Sequence, residues 1–255
     1  MRRTEMPRVN ELRALIADQT AEDAYFQDFD NSVRAEPSKA RVWFYREQVL
    51  QELDQHSWEY LKKELLPYLT AKDGRGRGWQ QLITILNQAH AYRYLKHMGC
   101  LGLAFIPPAT KQGQDTPDIE AKLDGARVLC EVKTINISDE EVQARTTGTG
   151  RSTLDKLDQG FFEKLEAALT KASQQMNAYD NSDDVVRIVY LVPDFDDSLG
   201  EYKVGYYGQI DQHLASIPSR QIQIVFHNQA TAFHTSITMR HAFVVNETDF
   251  PNTHP

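Results

Sequence analysis

The chain has 255 residues, of which 41% are hydrophobic and 25% charged, a composition typical of a soluble globular protein with one large or two small domains. Its net charge of −8 argues against a protein that coats nucleic acid, although an enzyme needs only a local basic track. No apolar run approaches the roughly 20 residues of a membrane helix. The start, "MRRTEMPRVNELRAL", has no apolar segment typical of a secretory signal. We therefore expect a cytoplasmic protein without membrane contact.

The two cysteines, Cys100 and Cys130, both lie in apolar segments. This position predicts buried thiols in a reducing compartment, and it argues against both a disulfide framework and a zinc site.

Residues 1–72 predict a helical N-terminal region. Within it, Ser38 is a candidate N-cap directly after Pro37, and apolar residues recur at helical spacing from Val42 to Trp58. We interpret the aromatic residues here as core rather than as a surface that stacks on bases. The sequence leaves open whether these helices bind a second copy of the chain, as a homodimer, or another protein partner.

The stretch "AKDGRGRGW" breaks the helical pattern and marks a boundary. Residues 73–255 then predict an α/β domain, in which a mixed sheet is flanked by helices. Its elements follow in chain order: a helix over Trp79–His97 that stops at Gly99, a short buried strand "LGLAFIP", a hairpin, a polar loop over 136–160, the helix "FFEKLEAALTKASQQMNAYD", a strand over Val185–Val192 buried on both faces, a helix near Ile210–Ala215, and strands near Ile222–His227 and Ala242–Val245.

The segment "PDIEAKLDGARVLCEVKT", residues 117–134, predicts the hairpin. Asp124-Gly125 is a strong signal for a two-residue type I′ turn. This turn pairs Leu123 with Ala126 and, at the far end, Asp118 with Glu131. One hairpin face is then wholly apolar, whereas the other carries Asp118, Glu120, Lys122, Arg127, Leu129, Glu131 and Lys133.

Two interpretations fit the charged face. It could simply be solvated, as in many antiparallel sheets. Alternatively, Asp118 and Glu131 form a cation site, because like charges opposed across two strands are destabilising. Two carboxylates and a backbone carbonyl suit Mg²⁺ or Mn²⁺, and Lys133 could steady a water molecule or a phosphate oxygen.

The spacing P-D-(x)12-E-V-K resembles the signature of the PD-(D/E)XK nuclease superfamily, which has the restriction-endonuclease-like fold. The resemblance covers residues 79–192. It implies that Asp118 and Glu131 bind the metal with the Val132 carbonyl as a third ligand, and that Lys133 assists the attacking water. It also implies an order of helix, three-stranded antiparallel meander, helix, and a strand parallel to the last meander strand.

The sequence "QMNAY" adds a second match, since Gln175 and Tyr179 resemble the Q-x-x-x-Y of the RecB-like branch. Gln175 lies four residues after Lys171 and shares its helical face. This face could be a solvated polar face with Tyr179 at the edge of the core. Alternatively it points at the site, in which case Gln175 supports the site and Lys171 contacts nucleic acid. Further phosphate contacts are predicted at Arg75, Arg77, Arg145 and Arg151.

One departure concerns the helix over Trp79–His97, which has no carboxylate where members of the superfamily often carry an additional glutamate ligand. Either fewer protein ligands hold the metal, or Glu120 substitutes, or activity has been lost.

Taken together, these patterns predict a Mg²⁺-dependent endonuclease that hydrolyses phosphodiester bonds, with DNA as the expected partner. Two alternatives stay open: a catalytically inactive nuclease-fold module with a binding or structural role, and a metal-dependent phosphodiesterase that acts on RNA.

Overall fold

The computed structural model describes residues 6–16, 24–70, 79–109, 115–135, 156–157, 159–193, 202–216, 222–227 and 242–245. The chain divides into two compact units, Met1–Arg93 and Tyr94–Pro255. The boundary predicted between residues 72 and 73 lies outside the described residues and stays a prediction. Within the described part, no helix is both long and apolar enough to cross a bilayer.

The described residues of the first unit form helices. Its helices are α1 (Pro7–Ala14), α2 (Phe29–Ala35), α3 (Pro37–Gln51), α4 (Gln55–Leu65), a 3₁₀ turn (Leu66–Tyr68) and most of α5 (Gln80–His97). The N-cap predicted at Ser38 is wrong, because α3 begins at Pro37 and is preceded by Glu36 as its N-cap. Proline suits the first helical turn, where its fixed φ is helical and its missing N–H is not needed.

Aromatic side chains form part of the core of this unit. Trp58 is fully buried and Trp43 nearly so. The Phe26 and Phe29 rings meet edge to face with centroids 5.2 Å apart, a favourable arrangement for aromatic pairs. The interpretation of the aromatics as core is therefore confirmed for Trp43 and Trp58, whereas Phe44, Tyr45, Tyr60 and Tyr68 are half-buried.

A buried carboxylate joins two helices of the first unit. Glu47 on α3 accepts hydrogen bonds from the backbone N–H groups of Arg8 (3.1 Å) and Val9 (2.9 Å). These donors lie in the first turn of α1, where backbone N–H groups have no partner within the helix. Glu47 therefore caps α1 from a distance of almost forty residues along the chain.

The second unit contains a mixed sheet. Its strands are β1 (Leu101–Phe105), β2 (Ile119–Leu123), β3 (Ala126–Ile135), β4 (Val186–Pro193), β5 (Gln223–His227) and β6 (Ala242–Val245), and they lie in that order across the sheet. Strands β1, β2 and β3 are antiparallel, and the pairs from β3 to β6 are parallel. The predicted α/β class with a mixed sheet is confirmed.

Among the described residues of this unit, two helices follow the meander, namely α6 (Gln159–Tyr179) between β3 and β4, and α7 (Tyr202–Ser216) between β4 and β5. Helices are expected in these connections, because parallel strands need a crossover. A helix, an antiparallel meander, a helix and a parallel strand thus follow one another in the expected order.

The prediction that "LGLAFIP" forms a buried strand is wrong in its burial. The strand β1 is present, but Leu101 is 73% exposed. It lies at the edge of the sheet, and its register with β2 shifts between Leu101 and Ala104. An apolar run in a short strand does not reveal whether the strand is central or at the edge.

Both cysteines are buried, as predicted, and both are free thiols. Burial raises the pKa of the Cys100 thiol and raises that of Cys130 well above its ordinary value.

Candidate active site

The hairpin turn forms where the sequence predicts it. Asp124 and Gly125 have φ of 51° and 88°, as a type I′ turn requires. The ladder between β2 and β3 then pairs residues in the predicted register as far as Ile119 and Cys130. This register directs Glu131 and Lys133 to the same face of the sheet.

One predicted pair is wrong. Asp118 and Glu131 are not paired in the ladder between β2 and β3. Asp118 lies in a bend directly before β2, and its N–H donates to the carbonyl of Cys130 at 3.1 Å. Its carboxylate Oδ2 instead accepts a hydrogen bond from the N–H of Val132 at 2.7 Å. Asp118 therefore binds the β3 main chain beyond the end of the ladder.

The same contact indicates the direction of the Val132 carbonyl. In a β-strand, the N–H and C=O of one residue point to the same neighbouring strand. Because the Val132 N–H meets Asp118, the Val132 carbonyl is directed to the same edge of β3.

The solvated interpretation of the charged hairpin face is wrong at its centre. Leu129 is fully buried and Glu131 is only 3% exposed. Leu129 belongs to the core that also contains four α6 side chains, namely Leu165, Leu169, Ala172 and Met176. The alternating pattern of the hairpin could not reveal that a later helix packs on its charged face.

Glu131 has one satisfied and one unsatisfied oxygen. Its Oε1 accepts a hydrogen bond from Lys133, whereas its Oε2 is buried and has no hydrogen-bond partner. Burial, and secondly the negative charge of Asp118, raise the pKa of Glu131 to about 8 against the opposing effect of Lys133. A buried polar atom without a partner is costly, so this oxygen identifies the position where a ligand would be most favourable.

Lys133 connects β3 to α6. Its Nζ lies 2.5 Å from Glu131 Oε1 and 2.8 Å from Gln175 Oε1. Its side chain is only 18% exposed, and these two acceptors restrict the position of its ammonium group. The structure therefore brings together Asp118, Glu131, Val132, Lys133 and Gln175.

A groove of about 810 Å³ runs along one side of α6. It is lined by both residues of the predicted helical face, Lys171 and Gln175, and also by Tyr179 and Asp115. The Lys171 side chain is 64% exposed, and its Nζ lies 3.8 Å from Asp115 Oδ2. Tyr179 is 38% exposed. Since Gln175 lines the groove and also contacts Lys133, the groove adjoins the site.

The other predicted residues are Glu120 and four arginines. Arg75, Arg77, Arg145 and Arg151 lie outside the described residues. Glu120 bonds Arg127 at 2.5 Å, so it does not take the position of an additional metal ligand in this structure.

The sequence predicts Arg127 on the charged hairpin face and gives it no role. In the structure it binds Glu120 on β2 and Asp180 directly after α6. Glu120 is its diagonal neighbour across the hairpin, which is a pairing that the register could have indicated. Asp180 is 53 residues away along the chain, and no local pattern connects it to Arg127.

Among the residues that the structure describes, no group of three or more His, Cys, Asp or Glu side chains is placed to hold a metal ion. Any ion at this site would therefore depend on two carboxylates, those of Asp118 and Glu131, together with main-chain oxygen.

Searches found no family model, no curated protein and no solved structure that matches this chain.

Proposed function

We propose that this chain is a metal-dependent nuclease that hydrolyses phosphodiester bonds, with DNA as the expected substrate and Mg²⁺ or Mn²⁺ as cofactor. The observation that carries the proposal is Glu131 Oε2, a buried carboxylate oxygen without a hydrogen-bond partner. Buried carboxylates are normally paired with a cation or bound to a metal, and Lys133 satisfies only the other oxygen.

The oxygen ligands in this region fit Mg²⁺. Asp118, Glu131 and the Val132 carbonyl would hold the ion, and all three offer the hard oxygen ligands that it prefers. Mg²⁺ is usually bound by one or two carboxylates, with waters and substrate phosphates completing the coordination, so a third carboxylate from α5 is not required. The bound ion would supply Lewis acidity and lower the pKa of a water molecule.

Lys133 provides the positive charge for the substrate. A lysine ammonium group has three N–H donors, and two of them are directed to Glu131 and Gln175. We assign the third donor to a phosphate oxygen or to the attacking water, where a fixed donor stabilises developing negative charge. Gln175 contributes by fixing the direction in which the ammonium group points.

The order of elements and the groove support the same proposal. The helix, antiparallel meander, helix and parallel strand follow one another as in the PD-(D/E)XK superfamily, to which we assign the chain as part of this proposal. The exposed Lys171 ammonium suits a phosphate contact at the groove, despite the net negative charge of the chain.

Two observations favour the alternative of an inactive nuclease-fold module. No cluster of three or more metal-binding side chains is found among the described residues, and Lys133 occupies one oxygen of Glu131. Such a module would bind nucleic acid or a protein without cutting it.

The proposal is tested by cleavage assays on supercoiled plasmid, single-stranded DNA and RNA. Each substrate is incubated with Mg²⁺, with Mn²⁺ and with EDTA. We expect metal-dependent nicking of plasmid by the wild type and by Asp124→Asn, which removes an exposed carboxylate from the turn of the same hairpin. Glu131→Gln should not cut. Cleavage of RNA alone would support the RNA alternative, and no cleavage of any substrate would overturn the proposal in favour of the inactive module.

A further inference from the structure

Arg127 links the hairpin to the C-terminal end of α6. Its Nη1 donates to Asp180 Oδ2 at 2.6 Å, and its Nη2 donates to Glu120 Oε2 at 2.5 Å. Its guanidinium carbon also lies 5.2 Å from the centre of the Tyr179 ring, within the range of a cation–π contact. A positive charge is favourable at this end of a helix. Arg127 therefore contacts the last residue of α6 and the residue directly after it.

The same end of α6 is bound from β4. Arg187 is 5% exposed, and its Nη2 donates to the carbonyls of Asp180 (2.8 Å) and Ser182 (2.9 Å). Asp180 is thus held through its main chain by one arginine and through its side chain by another. This arrangement fixes the point where α6 ends relative to β3 and β4.

The remaining packing of α6 against the sheet is mainly apolar, through Leu165, Leu169, Ala172 and Met176. Close packing of these side chains resists a shift of α6 along β3, but an individual apolar contact is non-directional. Directional contacts constrain the position further, and two of them join α6 and the residue after it to β3: Arg127 with Asp180, and Lys133 with Gln175. A shift by one turn, about 5.4 Å, would separate Gln175 from Lys133.

We propose that Arg127 is a positioning residue, which holds the end of α6 through Asp180 and thereby places the Gln175 carbonyl on the Lys133 ammonium. The significance of this placement for catalysis rests on the proposed nuclease function, whereas the placement itself does not.

Two conservative variants separate positioning from simple loss of an ion pair. Asp180→Asn keeps an oxygen for the N–H of Ser182, which Oδ1 now accepts, but it replaces the oxygen that faces Arg127 with an amide donor. Glu120→Gln is its matched control, because it changes a similar contact of Arg127 that lies within the hairpin and does not involve α6.

The readout is the side-chain amide resonance of Gln175 in ¹⁵N-labelled full-length protein without metal or nucleic acid, assigned by its loss in Gln175→Met. We expect this resonance to move in Asp180→Asn and in Arg127→Met. It should stay in place in Glu120→Gln and in Lys122→Met, which removes the exposed cation paired with Arg127 across the hairpin. If Arg127→Met does not fold, the comparison of Asp180→Asn with Glu120→Gln still tests whether Arg127 positions Gln175.

An unchanged resonance in Asp180→Asn, or an equal movement in Glu120→Gln, would overturn the proposal. If the wild type also cuts DNA, Asp180→Asn should reduce kcat by about 10- to 100-fold, as displacement of a positioned group does, with KM unchanged. A wild type that fails to cut would overturn the proposed function. The Gln175 resonance would still test the positioning role of Arg127.

Discussion

Lys133 lies two residues after Glu131 on β3, and its Nζ is 2.5 Å from Oε1 of Glu131. The lysine therefore neutralises one oxygen of a carboxylate whose other oxygen is buried without a hydrogen-bond partner. This second oxygen is the atom that a bound cation would pair with, and the nearby charge of Asp118 helps to raise the pKa of Glu131.

Divalent metal should stabilise the wild type, because an ion that binds only the folded state lowers its free energy. At a free metal concentration one hundred times the dissociation constant, the gain would be about 2.7 kcal/mol. Asp118→Asn and Glu131→Gln should each lose most of this gain, and Asp124→Asn should keep it. Thermal melts with and without Mn²⁺ at fixed ionic strength measure the effect. Equal shifts in all four proteins would place the ion elsewhere.

The stability of the metal-free protein should fall as the pH rises. Because the pKa of Glu131 is raised from 4.5 to about 8, the folded state binds more protons than the unfolded state between these values. The contribution of Glu131 is therefore fully present below pH 4.5 and is lost as the pH rises through about 8. Urea unfolding at pH 6 and pH 9 measures this loss, which Glu131→Gln should reduce and Asp124→Asn should not. An equal loss in Glu131→Gln would assign the pH dependence to other groups.

Lys133→Met should slow cleavage and leave metal binding largely intact. The lysine is expected to stabilise charge on the phosphate or water, and loss of one such donor reduces kcat by about 100-fold or more. Lys122→Met, which removes an exposed cation from the same hairpin, is the control. Single-turnover rates and Mn²⁺ titration give the two quantities separately. A Lys133→Met protein that cleaves at the wild-type rate would show that this role is wrongly assigned.

Glu47→Ala should destabilise the first unit by about 1–3 kcal/mol, because two backbone donors of α1 lose their acceptor and buried unsatisfied groups cost that much. All three tryptophans, Trp43, Trp58 and Trp79, lie in this unit, so tryptophan fluorescence during denaturant unfolding reports on it specifically. Gln48→Ala changes the exposed neighbouring residue and should be close to neutral. Similar midpoints for the two variants would contradict the capping role of Glu47.

Local patterns in the sequence were sufficient for the hairpin turn and for the strand β4. Asp124-Gly125 predicted the turn because few dipeptides adopt positive φ at both positions, and the turn then determined the pairing from Leu123–Ala126 to Ile119–Cys130. The apolar run in β4 likewise predicted a strand buried on both faces, and β4 is almost entirely buried.

The burial and the partners of the site residues were decided only by the tertiary structure. The sequence placed Glu131 on a charged hairpin face, but it could not show that α6 packs there and leaves the side chain 3% exposed. Nor could it pair Arg127 with Asp180 across 53 residues. The physical reason is that turn and strand preferences act between neighbours in the chain, whereas burial and long-range ion pairs depend on which surfaces meet after the chain has folded.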